Sequence, residues 1–164
     1  MTERLWYELG QVKLNHFYCV FLLGRQREQL NYFNIAILIF SSGGMMGYPI
    51  WKEIPIVACT IVAIISLLKL VSPHIIPSDK QLDKLDQIAD FYFDYFNKLE
   101  QLWFDFDKDR ITEIELQNKF YTLKDLERET NKKVNEIVKR PIKSLETKAD
   151  NETRQYLKLT YKTE

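Results

Sequence analysis

The chain has 164 residues, 23 Lys and Arg against 23 Asp and Glu, and a mean hydropathy of -0.29. Two histidines and two cysteines 40 positions apart exclude a disulfide framework and a cysteine-histidine zinc site. The balanced totals hide a division: residues 29–78 carry only Lys52, Glu53 and Lys69 as charged groups, whereas residues 79–164 carry 17 Lys/Arg and 19 Asp/Glu.

Residues 3–23 read as an amphipathic helix, with Leu5, Leu9, Val12, His16, Cys19 and Leu23 at helical spacing. Its apolar run, Phe17 to Leu23, is too short to cross a bilayer. The segment is either an interfacial helix lying on a membrane or a helix packed on the remainder of the protein. Glu3, Arg4, Glu8 and Lys13 interrupt any signal-peptide core, so no cleaved leader is expected. Gly24-Arg25-Gln26-Arg27-Glu28 reads as a polar break.

Tyr32 to Ile50 gives 19 residues without a charge, about 28 Å as a helix, close to a hydrocarbon core. Pro49 is expected to end it, Trp51-Lys52-Glu53 to form a tight turn, and Pro55 to open a second span, Ile54 to Ser72. The second span holds 11 Ile, Leu or Val. At about -0.3 to -0.6 kcal/mol each they outweigh Lys69, whose cost of about 3 kcal/mol applies only at the bilayer centre. Lys69 lies near the helix end and is placed to snorkel. Thr60 and Ser66 on the same helix are candidate pore-lining groups if several copies assemble. The first span is weaker, with Asn34, two serines and three glycines. Ser41, Gly43, Gly44 and Gly47 make a small-residue face suited to close helix packing, within the hairpin or between copies. Arg4, Lys13, Arg25 and Arg27 before the first span, and Lys80 and Lys84 after the second, place both termini in the cytoplasm.

Pro73 to Pro77 reads as a linker and Ser78 as the N-cap of the next helix. Leu82, Leu85, Ala89, Tyr92, Phe96, Leu99, Trp103 and Phe106 then follow spacings of 3, 4, 3, 4, 3, 4, 3, a coiled-coil-like seam. Phe91, Phe93, Tyr95 and Phe104 widen the apolar face, so more than one partner helix is expected there. After a polar turn, Asp105 to Arg110, a second helix is expected from about Thr112 to Arg140. Leu116, Phe120, Leu123, Val134 and Ile137 keep its period, while Glu127 and Thr130 interrupt it. Pro141 ends it, and the tail to residue 164 forms a short third helix or frays. The fold class is therefore all-α: an amphipathic helix (1–28), a two-transmembrane hairpin (29–76), and a cytosolic antiparallel helical hairpin with a C-terminal tail (77–164).

No nucleophile elbow, phosphate loop or metal-ligand spacing is present, so no enzyme, cofactor or metal is expected. Asp79, Asp83, Asp86, Asp90 and Asp94 read as a solvated helix face. The cluster Lys132, Lys133, Lys139, Arg140 and Lys143 is diluted by Glu129 and Glu136, and no nucleic-acid partner is expected.

The order of parts resembles the SLATT proteins, the SMODS- and SLOG-associating two-transmembrane effectors of bacteria. The likeness spans residues 5–140. It rests on the N-terminal helix, the Ser41-Ser42-Gly43-Gly44 span, the Trp51-to-Pro55 turn, the second span and the long helices after it. The resemblance implies an effector of a bacterial conflict or defence system. Such an effector oligomerises and perturbs, or forms a pore in, the inner membrane when a cytosolic sensor partner signals. It brings no catalytic residues. From the residues alone the alternatives are a membrane-anchored scaffold presenting a helical hairpin to a cytosolic partner, and a soluble all-helical protein with its apolar hairpin buried.

Overall fold

A computed structural model of the chain describes residues 2–46, 55–75, 77–138 and 140–161. The side chains of residues 40–46, 55, 57, 58, 61, 69 and 72–75 also lie outside the description. All the described secondary structure is helical: α1 Thr2–Met46, α2 Pro55–Ile75, α3 Asp79–Asp107, α4 Glu113–Ile137 and α5 Lys143–Tyr161. Contacts divide the chain into two units, Met1–Leu23 with Asp83–Glu164, and Gly24–Leu82.

The first unit is a four-helix bundle in which the start of α1 and the length of α3 form the central pair. Trp6 meets Trp103 at 6.1 Å between ring centroids, and His16 meets Phe93 at 5.6 Å, so α1 and α3 run antiparallel. On one flank, Arg4 reaches Tyr121 and Lys124 reaches Glu8, so α4 runs parallel to α1. On the other, Trp6 meets Tyr161 while Tyr18 accepts a hydrogen bond from the Ile142 N–H, so α5 runs antiparallel to α1. The antiparallel sense of α1 and α3 brings Leu23 and Asp83, where the chain leaves and re-enters this unit, to the same end of the bundle.

The core follows from a three-row apolar face on each central helix. In α1 Leu5, Leu9, Val12, Cys19, Leu22 and Leu23 are at most 5% exposed. In α3, Leu85, Ile88, Ala89, Tyr92, Tyr95, Phe96, Leu99 and Leu102 are buried. Rows at i, i+3 and i+4 give a stripe broad enough for two neighbours on either side, which a two-row coiled-coil seam would not.

The N-terminal segment therefore takes the packed alternative rather than the interfacial one, and it joins the helices after residue 82 in one unit. Gly24 to Glu28 does not break the helix: α1 runs 45 residues through it. Arg, Gln and Glu are good helix formers, and one exposed glycine costs only about 1 kcal/mol. Likewise α2 runs past Pro73 and His74 to Ile75, because a proline near a helix end forfeits a single backbone bond. The tail is an ordered 19-residue helix rather than a frayed end. Helix α4 stops at Ile137, before Arg140 and Pro141.

Helix ends are set locally. Ser78 caps α3: its hydroxyl accepts the Gln81 N–H, and the Gln81 side chain accepts the Ser78 N–H in return. Thr112 and Glu115 make the same reciprocal box at α4. α3 ends in a Schellman turn. The Arg110 N–H bonds to Asp105 O, the Asp109 N–H bonds to Phe106 O, and Asp109 takes φ 52°. The Arg110–Asp105 ion pair, at 3.3 Å, stands where a hydrophobic contact usually accompanies this motif.

Asp109 is in the left-handed region, where a Cβ is unfavourable. Asp109→Gly is expected to stabilise the bundle by about 0.5–1 kcal/mol, and Asp109→Ala to destabilise it. Thermal melts of the full chain in uncharged detergent, followed by circular dichroism, check the order.

Candidate functional site

The unit Gly24–Leu82 has an apolar surface open to its surroundings. Tyr32, Leu38 and Ile39 on α1 are 61–70% exposed. On α2, Ile56, Val62, Ile64, Leu67, Leu68, Leu70 and Val71 are 41–79% exposed. At about 100° per residue these α2 positions cover roughly two thirds of the helix circumference. Among the described side chains of α2 only Ile65 is half-buried. On α1 in this unit Gln26, Leu30, Phe33, Ala36 and Ile37 form one thin half-buried stripe.

The candidate polar groups of α2 are satisfied within their own helix. Thr60 Oγ1 donates to Ile56 O at 2.9 Å and Ser66 Oγ to Val62 O at 2.8 Å. Such back-bonding lets a hydroxyl sit in an apolar environment without an outside partner. The backbones of Ser41, Gly43 and Gly44 are part of α1, but their close packing lies outside the description, as do Gly47 and the Lys69 side chain. Residues 47–54, which complete the first expected span and open the second, are also outside it. Among the described residues no helix is long and apolar enough to cross a membrane.

From Leu85 onward the residues of the α3 seam lie inside the bundle. Leu82, Leu85, Ala89, Tyr92, Phe96 and Leu99 are buried, and Trp103 and Phe106 are half-buried. Of the additional aromatics only Tyr95 is buried. Phe91 is half-buried, while Phe93 and Phe104 are exposed. Ile88 and Leu102, which the sequence reading passed over, complete the face.

The polar residues that interrupt the apolar period of α4 are buried in its stripe. Leu116, Phe120, Leu123, Glu127, Thr130, Val134 and Ile137 follow spacings of 4, 3, 4, 3, 4, 3, and Glu127 and Thr130 are 5% and 8% exposed. Glu127 is tolerated because Lys124 Nζ lies 2.8 Å from it and 2.7 Å from Glu8, itself buried on α1. Burial alone would lower the Lys124 pKa, but hydrogen bonds to Glu127 and Glu8 outweigh it and raise it above the usual value. Near these carboxylates the Tyr95 hydroxyl is buried without a protein hydrogen-bond partner. Burial and then the charges of Glu127 and Glu8 raise its pKa. Tyr92 donates to Asn131 Oδ1 at 2.6 Å.

On the other side of α1, Lys13 is 7% exposed, with its ammonium 3.7 Å from the Tyr156 ring centroid and 4.2 Å from that of Phe96. Burial lowers its pKa, and Glu100 counteracts this in part. His16 Nδ1 lies 3.1 Å from Ala89 O, a geometry that requires the proton on Nδ1. Cys19 is a buried thiol whose pKa burial raises to about 12, and it is not poised to react. Cys59 is exposed on α2. No group of three or more metal-ligating side chains is present among the described residues. Toward the end where the chain leaves the bundle, α3 and α4 part around a cavity of about 550 Å³ between Lys84, Ile88, Phe91, Thr130 and Lys133. With these features in place, comparison with protein-family models, curated proteins and solved structures finds no match.

The buried ionic cluster has a pH signature. Because the Lys124 pKa is raised on folding, its stabilisation is complete below the ordinary lysine value of 10.5 and is lost as pH rises through the higher folded value. Lys124→Met is expected to lower stability near neutral pH, since it leaves two carboxylates in the interior, and to remove the alkaline loss that Lys124 causes. Denaturant titrations of parent and variant from pH 7 to 12 check both effects.

Proposed function

We propose that this chain is a membrane-anchored helical-bundle protein in which residues 32–72 enter the lipid as a two-span hairpin. The observation that carries this reading is the exposed apolar surface of Gly24–Leu82. Eleven large apolar side chains between residues 32 and 71 stand 41% or more exposed, in a stretch whose only charges are Lys52, Glu53 and Lys69. Leaving that surface in water forgoes on the order of 10 kcal/mol, comparable with the whole stability of a domain. A hydrocarbon core removes the cost.

The bundle adds a topological argument. Residues 2–23 and 83–161 pack in one unit, so the intervening segment begins and ends on the same side of any bilayer. It therefore crosses an even number of times, which suits a hairpin and excludes a single span. The flanking Arg25, Arg27, Lys80 and Lys84 favour the cytoplasm as that side.

The use of the anchor is a scaffold or adaptor, presenting the bundle at the membrane surface. The α3 seam supports this over self-assembly through the bundle, because α1, α4 and α5 of the same chain already cover it. A second reading, a pore-forming effector of a bacterial conflict system, draws on the likeness to SLATT proteins. Its assembly would run through Ser41, Gly43, Gly44 and Gly47 in the span. The back-bonded hydroxyls of Thr60 and Ser66 argue against a polar pore lining.

Alkaline carbonate extraction of membranes from cells expressing the full chain tests the anchor. The chain is expected to stay in the pellet, and release into the supernatant would overturn the membrane reading. A membrane-potential dye after induction separates the two uses: unchanged potential and growth support the scaffold, and collapse supports the effector.

A further inference from the structure

The interface of α1 with α3 and α5 is built in layers that pair aromatic rings with lysine ammonium groups. In the first layer Lys148 Nζ lies 4.3 Å from the Phe21 centroid. In the second, Lys13 Nζ lies among Tyr156, Phe96 and Phe17 at 3.7, 4.2 and 5.3 Å. One heptad further along α1 and α3, positions 13 and 96 become Trp6 and Trp103, and α5 contributes Tyr161. Trp6 and Trp103 are 6.1 Å apart with planes at 50°. Tyr161 is 5.0 and 5.1 Å from them with planes at 88° and 80°. Tyr161 stands at steep angles to both indoles, so the three rings meet as a corner rather than a stack, and Glu100 holds Tyr161 by accepting a hydrogen bond from its hydroxyl at 2.6 Å.

This corner bounds a cavity of about 330 Å³ whose lining is Thr2, Glu3, Trp6, Trp103 and Tyr161. Among the described residues the lining is almost wholly apolar, carries one carboxylate, and includes no cationic side chain. Arg4, the adjacent cation in sequence, is engaged on the α4 side of α1, with its guanidinium 5.3 Å from the Tyr121 centroid and a 2.9 Å bond to the Tyr121 hydroxyl.

We infer that the Trp6–Trp103–Tyr161 corner, with Glu3 at its rim, is a binding site for an alkylammonium group. Indole faces attract cations more strongly than other aromatic faces do, and N-alkylation weakens hydration, so the cation sheds little water on entering apolar walls. The carboxylate at the rim complements the charge. The same chemistry can arrive as a small quaternary amine or as a methylated lysine on a partner protein. This site stands independently of the membrane reading.

The test uses the full chain in maltoside micelles, whose headgroups carry no ammonium. In a Trp51→Phe chain the indole emission comes from Trp6 and Trp103 alone. Titration with tetramethylammonium is expected to change that emission saturably and to move the N-methyl proton resonance upfield, while the neutral isostere neopentyl alcohol does neither. Glu3→Gln, at an exposed rim position, is expected to weaken binding about threefold, and Trp103→Leu about tenfold or more. If Trp103→Leu fails to fold, Glu3→Gln and the isostere decide. Tighter binding of a trimethyl-lysine peptide than of choline assigns a protein source, and equal binding assigns a small molecule. An equal response to the isostere overturns the site. So does the absence of a saturable response in both this chain and a Lys162→Ser counterpart, which removes the neighbouring lysine.

Discussion

The stripe Leu5, Leu9 and Val12, with no exposed surface, is the contact on which the bundle depends. Without it, α3 would expose the apolar face it turns toward α1, and α4 and α5 would each lose a neighbour. The removal from water of three such side chains is worth roughly 5–9 kcal/mol. That range overlaps the total stability of many domains. A helix that would be marginal alone is thus held by tertiary packing, as is usual for amphipathic segments.

Packing alone would leave the four helices free to slide by a heptad, since apolar stripes of this kind are nearly self-similar. The polar groups inside the bundle remove that freedom. A slip of α1 against α4 would separate Glu8 from Lys124 and leave a carboxylate buried without its counter-charge. On the opposite side, a slip would draw Lys13 out of its rings and the Tyr156 and Tyr161 hydroxyls away from Glu100. Interior charges contribute less to net stability than to the choice of one register, which is the best-attested use of such groups.

Much of this was legible in the residues. The period of α3 from Leu82 to Phe106, the Ser78 cap and the α1 stripe all rest on local spacing, and local spacing survives folding. What escaped was non-local. Glu127 and Thr130 look like interruptions because nothing near them in sequence shows that Glu8, more than a hundred positions away, shares Lys124 with Glu127. Arg25, Gln26, Arg27 and Glu28 look like a break because they are polar, although these residues carry high helix propensity. The aromatic corner was unreadable for a similar reason: Trp6, Trp103 and Tyr161 come from three helices, and only the antiparallel pairing of α1 with α3 brings the first two together.

The central position of α1 also governs the order of events during synthesis. Within this sequence α1 is made before every helix it packs against, and the last of these, α5, contributes Tyr156 and Tyr161. Until α5 is made, part of the apolar stripe of α1 stays uncovered. Contacts such as Tyr18 with Ile142, separated by 124 positions, give this small helical protein a large sequence separation. Its folding is accordingly expected to be slower than that of a bundle closed by neighbouring hairpins. A shortened chain beginning at residue 79 would lack its own keystone, the helix around which the others gather.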